Sequence, residues 1–248
     1  MGESRGKRES KFRFKQFSVV NKDSAMKVGT DGVLLGAWCD ITEAKKILDI
    51  GTGTGLIALM AAQRNQSAYI LAIEIDSIAA NEASDNFINS PWNNRLELLN
   101  IDFNNFSAVE ITKFDHIISN PPFYTTDIHS PNDSRAAARH SNISLTFSSL
   151  LTNAKTLLTP ETGKISIITP TESAEEIEKI AHTLDLHISR RTEVYPKQGV
   201  TPKRILWELT NTQPPKQSTQ ITQLTIELGR HIYTPEYITL TKPFYLKM

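Results

Sequence analysis

The chain has 248 residues, with 27 basic and 27 acidic side chains, a formal net charge of zero and one cysteine, Cys39. That length suits one large domain, and a lone cysteine excludes an intrachain disulfide or a cysteine-based zinc site. No apolar run approaches the roughly eighteen residues of a membrane span, and the charged start lacks an apolar signal segment, so a cytoplasmic, membrane-free and monomeric protein is expected.

Residues 11–17, KFRFKQF, alternate Phe with charge and predict a strand or ordered arm. TDGVLLGAW (residues 30–38) predicts a short apolar helix, with Thr30 or Asp31 as the capping oxygen. From residue 45 strands and helices alternate. KKILDI (45–50), AYILAIEI (68–75), RLELLNID (95–102), FDHIISN (114–120) and GKISIITP (163–170) read as strands. GLIALMAAQRN (55–65), IAANEASDNFIN (78–89), SLTFSSLLTNAKTLL (144–158) and SAEEIEKIAHTLD (173–185) read as helices. Three strand-like runs close the chain, HISRRTEVYP, RILWELT and QLTIEL, with a linker-like stretch at 211–220. Near-continuous apolar strands between helices predict a Rossmann-like, doubly wound α/β fold. Its sheet is expected to have seven strands, mainly parallel with an antiparallel C-terminal edge. We expect residues 1–44 to form an arm and covering segment, and 45–248 the main domain.

Neutrality of the whole conceals segregation. Residues 1–27 carry eight basic groups against three acids, 40–130 carry five against twelve, and 186–248 carry nine against four. A polyanion senses such patches within a screening length of about 8 Å. The plain alternative is an unevenly decorated solvated surface.

The loop Asp49-Ile50-Gly51-Thr52-Gly53-Thr54-Gly55 joins the first of the alternating strands to its helix. Glycines there admit positive φ and let a ligand approach backbone N–H groups at a helix N-terminus. Glu74 ends the next strand, where an acid meets ribose hydroxyls, and Asp102 ends the third. Gly53-x-Gly55-x-x-Ala58 formally satisfies the dinucleotide fingerprint, so NAD(P) is one candidate. The whole loop also resembles the first motif of Rossmann-like methyltransferases, whose ligand is S-adenosylmethionine. Asp49 suits a ligand with an ammonium group and repels a phosphate.

The fourth strand ends in Asn120-Pro121-Pro122-Phe123, followed by Tyr124. Ligands of doubly wound sheets bind at the carboxyl ends of strands, so this tetrapeptide should face the glycine loop. An exocyclic amine is a poor nucleophile because its lone pair is delocalised. Asn120 Oδ1 and the Pro121 carbonyl can accept its two N–H bonds and aim the lone pair, while Phe123 offers a stacking face. A Pro-Pro turn with Asn120 as a local turn former is the structural alternative.

The constellation resembles the amino-group branch of S-adenosylmethionine-dependent methyltransferases, which act on adenine N6, guanine N2 or a glutamine amide. Residues 14–38, Pro91 and Trp92, the ISNPPFY core and the final KPFYLKM narrow the resemblance to the bacterial tRNA1(Val) (adenine(37)-N6)-methyltransferases. The resemblance implies that Lys27, Gly29, Thr30 and Asp31 pack over the cofactor. It assigns Gly51, Gly53 and Gly55 to the methionine moiety, Glu74 to the ribose and Asp102 to the neighbourhood of the adenine. Asn120, Pro121, Pro122 and Phe123 would be catalytic. Many relatives have Tyr where this chain has Phe123, so a hydroxyl at that point would have to come from Tyr124. Arg135, Arg139, Lys203 and Arg204 are candidate tRNA contacts or, equally, solvated surface. His116 reads as structural, Cys39 has no partner to activate it, and no metal-ligand spacing occurs. The partner implied is tRNA, with S-adenosylhomocysteine as product; guanine N2 of ribosomal RNA, a protein glutamine, or a non-catalytic RNA-interaction module are the alternatives.

Overall fold

The arm anticipated at residues 11–17 is a hairpin, in which β1 (Lys11–Arg13) pairs antiparallel with β2 (Ser18–Val20). The computed structural model describes residues 11–24, 27–122, 145–213 and 220–248. Behind the hairpin, α1 occupies Thr30–Trp38, as its apolar run predicts. Its cap differs from expectation: the N-cap residue is Gly29, with no side-chain cap hydrogen bond from Thr30 or Asp31.

The alternating region then runs β3 (Lys46–Ile50), α2 (Leu56–Arg64), β4 (Tyr69–Glu74), α3 (Ser77–Ile88), β5 (Leu96–Asn100), α4 (Phe103–Val109) and β6 (His116–Ser119). It continues with α5 (Phe147–Leu157), β7 (Lys164–Pro170), α6 (Ala174–Thr183), β8 (His187–Lys197), β9 (Arg204–Thr210), β10 (Gln220–Gly229), β11 (Ile232–Tyr233) and α7 (Pro235–Thr241). The sheet order is β11-β10-β8-β9-β7-β6-β3-β4-β5. Strands β5, β4, β3, β6 and β7 are parallel neighbours, and β9 is antiparallel to both β7 and β8.

The sheet therefore has nine strands, two more than the seven expected. The run QLTIEL is β10, laid parallel along β8, and the two-residue β11, antiparallel to β10, had no run in the sequence. The eleven-residue β8 would otherwise leave a long open edge, which sheets tend to cover.

Two apolar clusters sit on opposite faces of this sheet. One joins Phe14, Phe17, α1, α2 and the Tyr237 and Phe244 rings. The other joins Phe103, Phe106, α5, α6 and Trp207. Burying strands on both faces explains why β3 and β7 read as near-continuous apolar runs, broken by Asp49 and by Ser166 and Thr169. Among the described residues no helix is long and apolar enough to cross a membrane.

Candidate active site

The glycine loop turns sharply off β3. Gly51 and Thr52 both donate their N–H groups to the Ile73 carbonyl of β4, at 2.9 and 3.0 Å. Gly51 and Gly53 hold φ values of 67° and 58°, which a side chain rarely tolerates. A Cβ at either would meet nothing within 4 Å, so the backbone there borders open space. Gly55 caps α2 at φ 85°, and a Cβ on it would lie 2.4 Å from Phe87 Cε1.

Two acids brace this turn from below. Asp49 is almost fully buried; its Oδ2 accepts from the Thr52 hydroxyl at 2.6 Å and from Ala58 N at 3.1 Å. Its Oδ1 is buried with no hydrogen-bond partner. Burial pushes this carboxyl up to about 7, and Glu74 adds to the rise, while the Thr52 and Ala58 hydrogen bonds oppose it. Glu74 Oε2 accepts from Gly53 N at 2.8 Å and its Oε1 from Asp76 N at 2.9 Å.

The opposite wall comes from the segment at 27–32 and the first turn of α1. Gly32 and Gly36 let α1 lie close to α2: a Cβ at Gly32 would meet Leu56 at 3.1 Å, and one at Gly36 would meet Met60 Sδ at 2.8 Å. The same Gly32 position stands 4.0 Å from Asn120 Nδ2. Lys27 Nζ donates to Asn21 Oδ1 at 2.9 Å, and Asp31 Oδ2 accepts from Arg204 Nε at 2.7 Å.

The third wall follows β6. Ser119 Oγ donates to the Ile50 carbonyl at 2.9 Å, tying the end of β6 to the end of β3. Asn120 and Pro121 follow directly, Pro121 buried and Pro122 exposed. These walls enclose a cleft of about 380 Å³, bordered by Lys27, Gly29, Thr30, Asp31, Gly51, Gly53, Asn120, Pro121 and Pro122. Nine of the residues singled out in the sequence thus meet in one place.

Others do not border that cleft. Asp49 and Glu74 lie behind the loop, and Asp102 caps α4 by accepting from Asn105 N at 3.1 Å. Lys203 is exposed, whereas the half-buried Arg204 is engaged by Asp31. Phe123, Tyr124, Arg135 and Arg139 lie outside the described residues. His116 is buried against Ser166 Oγ at 2.8 Å, and burial pushes its imidazole down to about 3, in keeping with a structural role. Cys39 is buried and its thiol is pushed up to about 11 by that burial, so it stays protonated. The Asp31–Arg204 pair escaped sequence reasoning because its partners are 173 positions apart.

The cleft discriminates between the two cofactors the glycines allow. A dinucleotide needs loop N–H groups for its pyrophosphate, but here Gly53 N–H is taken by Glu74. A buried acid with an unpaired oxygen beneath the loop favours a cation over a phosphate. The donor set therefore fits S-adenosylmethionine, whose methionine end carries an ammonium group. Antiparallel β9 between β7 and β8 also departs from the all-parallel dinucleotide sheet.

Fold, glycine loop and Asn-Pro-Pro strand end together define a Rossmann-like methyltransferase dependent on S-adenosylmethionine. Residues 24–174 match the family model described as methyltransferase small domain. Solved structures with the same fold include a predicted O-methyltransferase from Agrobacterium tumefaciens, with TM-score 0.62 and 20% identity over 86% of this chain and 96% of that one. Another is a type I restriction-modification methyltransferase subunit from Streptococcus thermophilus, with TM-score 0.60 and 16% identity over 88% of this chain and 52% of that one.

Among curated proteins, a tRNA1(Val) (adenine(37)-N6)-methyltransferase from Bacteroides fragilis is 44% identical over 96% of this chain and 98% of its own length. Those of Phocaeicola vulgatus and Aliivibrio fischeri are 46% and 44% identical over the same shares. The chain belongs to the tRNA1(Val) (adenine(37)-N6)-methyltransferase family.

Proposed function

We infer that this protein transfers the methyl group of S-adenosylmethionine to the exocyclic N6 of the adenosine at position 37 of tRNA1(Val). The observation that carries this reading is the convergence of the glycine loop, the 27–32 segment and Asn120-Pro121 on one cleft. Bound there, S-adenosylmethionine supplies an electrophilic sulfonium methyl and departs as S-adenosylhomocysteine.

The residues of the chain supply position and polarity. The Asn120 side-chain oxygen and the Pro121 carbonyl accept the two N–H bonds of the adenine amine. With both hydrogens held, the nitrogen lone pair localises and points along one line. As the new N–C bond forms and the sulfonium S–C bond breaks, positive charge grows on nitrogen, and the same two acceptors stabilise it until one N–H proton passes to water. Two consecutive prolines restrict the backbone on which these acceptors ride. A base of a single-stranded loop reaches such a site by leaving its stack.

The tRNA backbone has basic surface to meet. The hairpin carries Lys11 and Lys15, which with Lys22 border a groove of about 1040 Å³ against the end of α3. The two basic ends of the chain adjoin at this point: Lys15 N donates to the Phe244 carbonyl at 2.8 Å, and Phe14 pairs with Tyr245. A tRNA substrate supports a cytoplasmic reaction.

Replacing Asn120 with Ala tests the mechanism. Loss of one pre-organised hydrogen-bond partner lowers kcat by about 10²–10³-fold, with binding of S-adenosylmethionine retained in calorimetry. Undiminished transfer by Asn120→Ala would contradict the role given to this residue.

A further inference from the structure

Arg204 opens β9, where it pairs with Pro170 of β7 and Val194 of β8 in the middle of the antiparallel half of the sheet. Its side chain leaves that sheet and reaches the first turn of α1. There Nε donates to Asp31 Oδ2 at 2.7 Å, while Nη1 donates to the Lys203 carbonyl at 2.9 Å. Both partners are about a third exposed.

The first turn of α1 needs such support. Its N-cap residue is a glycine with no side-chain cap bond, and the opening backbone contact from Val33 N to the Gly29 carbonyl is long, at 3.3 Å. That turn nevertheless forms one wall of the cleft, through Gly29, Thr30, Asp31 and Gly32. A Cβ on the neighbouring Gly32 would lie 4.0 Å from Asn120 Nδ2. Two elements thus meet through one ion pair: β9 holds Arg204, Arg204 holds Asp31, and Asp31 fixes the turn of α1 that borders the cleft beside the glycine loop and Asn120.

We propose that Arg204 is a positioning residue for the cofactor cleft, which acts by clamping Asp31 and with it the 27–32 segment. The guanidinium suits this task because it stays charged and its Nε–H and Nη–H donors are rigidly spaced. The inference rests on the cleft being the S-adenosylmethionine site. It differs from a direct tRNA contact, which an arginine at this place would otherwise suggest.

The test uses the full-length protein and the variants Arg204→Met, Arg204→Lys, Asp31→Asn and Arg204→Met/Asp31→Asn. S-adenosylmethionine affinity is measured by calorimetry without tRNA, tRNA affinity by filter binding without cofactor, and opening of the first turn of α1 by amide hydrogen exchange of the apo protein. A partly buried ion pair of this kind predicts an affinity for S-adenosylmethionine about three- to tenfold weaker in Arg204→Met. Exchange at the first turn of α1 quickens while β9 stays protected, Arg204→Lys recovers part of the loss, and tRNA affinity and its salt dependence hold. In the Asp31→Asn background the same Arg204 change adds little, because the clamp is already gone.

Equal cofactor affinity in wild type and Arg204→Met would overturn the inference. So would a loss confined to tRNA binding and its salt slope, or an undiminished Arg204 effect in the Asp31→Asn background. If the wild-type protein itself binds no S-adenosylmethionine, the reading of the cleft fails instead.

Discussion

Asp49 illustrates how one residue couples folding to ligand choice. Its carboxyl is buried, half-paired and pushed up to about 7. For an acid whose folded pKa exceeds its unfolded value, the stabilising form is the protonated one. The contribution is therefore complete below about pH 4 and is lost as pH rises through about 7. A cation placed beside the group reverses the preference. Thermal melts of the apo protein should thus show a stability loss between about pH 4 and 7 on the order of 1.4 kcal/mol per unit at most, absent in Asp49→Asn. Over the same window, affinity for S-adenosylmethionine should rise with pH in wild type and stay flat in the variant. The position of Asp49 before the glycines was legible in sequence. Its grip on Thr52 and Ala58 was not, because that depends on how α2 folds back onto the loop. Arg204 was legible only as a basic residue, and three-dimensional packing gave it to Asp31.

At the scale of elements, the two helices that flank the glycine loop are set by side chains that are missing. Gly55 lies against Phe87 of α3, and Gly32 and Gly36 admit Leu56 and Met60 of α2. Gly55→Ala combines positive φ with a 2.4 Å clash against an aromatic ring. It should cost about 2–5 kcal/mol and lower Tm by several degrees in calorimetry, and a Tm within one degree of wild type would refute that packing. The long apolar helices and strands were readable because their periods were clean. Helix α4, with the sequence FNNFSAV, was missed because Asn and Ser compete for backbone bonds and dilute its apolar stripe. Helix α7 did carry a signal, the cap Thr234 followed by Pro235 and Glu236, but seven residues hold too little periodicity to register. Strand β10 appeared as a run, yet its parallel pairing with β8 depends on a crossover that sequence patterning does not encode.

The whole molecule reconciles a net charge of zero with an anionic partner. Its acidic middle supplies the cofactor half of the sheet, and its two ends are stapled together by Phe14 on Tyr245, ring centroids 5.9 Å apart, and by Lys15 Nζ on the Lys242 carbonyl at 2.6 Å. Counting charges by segment foresaw two basic ends; the fold brings Lys15 of one beside Lys242 of the other. If the groove under the hairpin follows the tRNA backbone, Lys11→Gln with Lys22→Gln should flatten the slope of log affinity against log salt by about one to two. Binding of S-adenosylmethionine should be unchanged, and an unaltered slope would move the RNA path elsewhere. The most direct test of the central claim is transfer of labelled methyl from S-adenosylmethionine to purified tRNA1(Val), with and without the adenosine at position 37, followed by nucleoside analysis. The account predicts label in N6-methyladenosine that disappears when position 37 is changed to guanosine. Label in N2-methylguanosine, in protein, or in the altered tRNA at the wild-type level would contradict it.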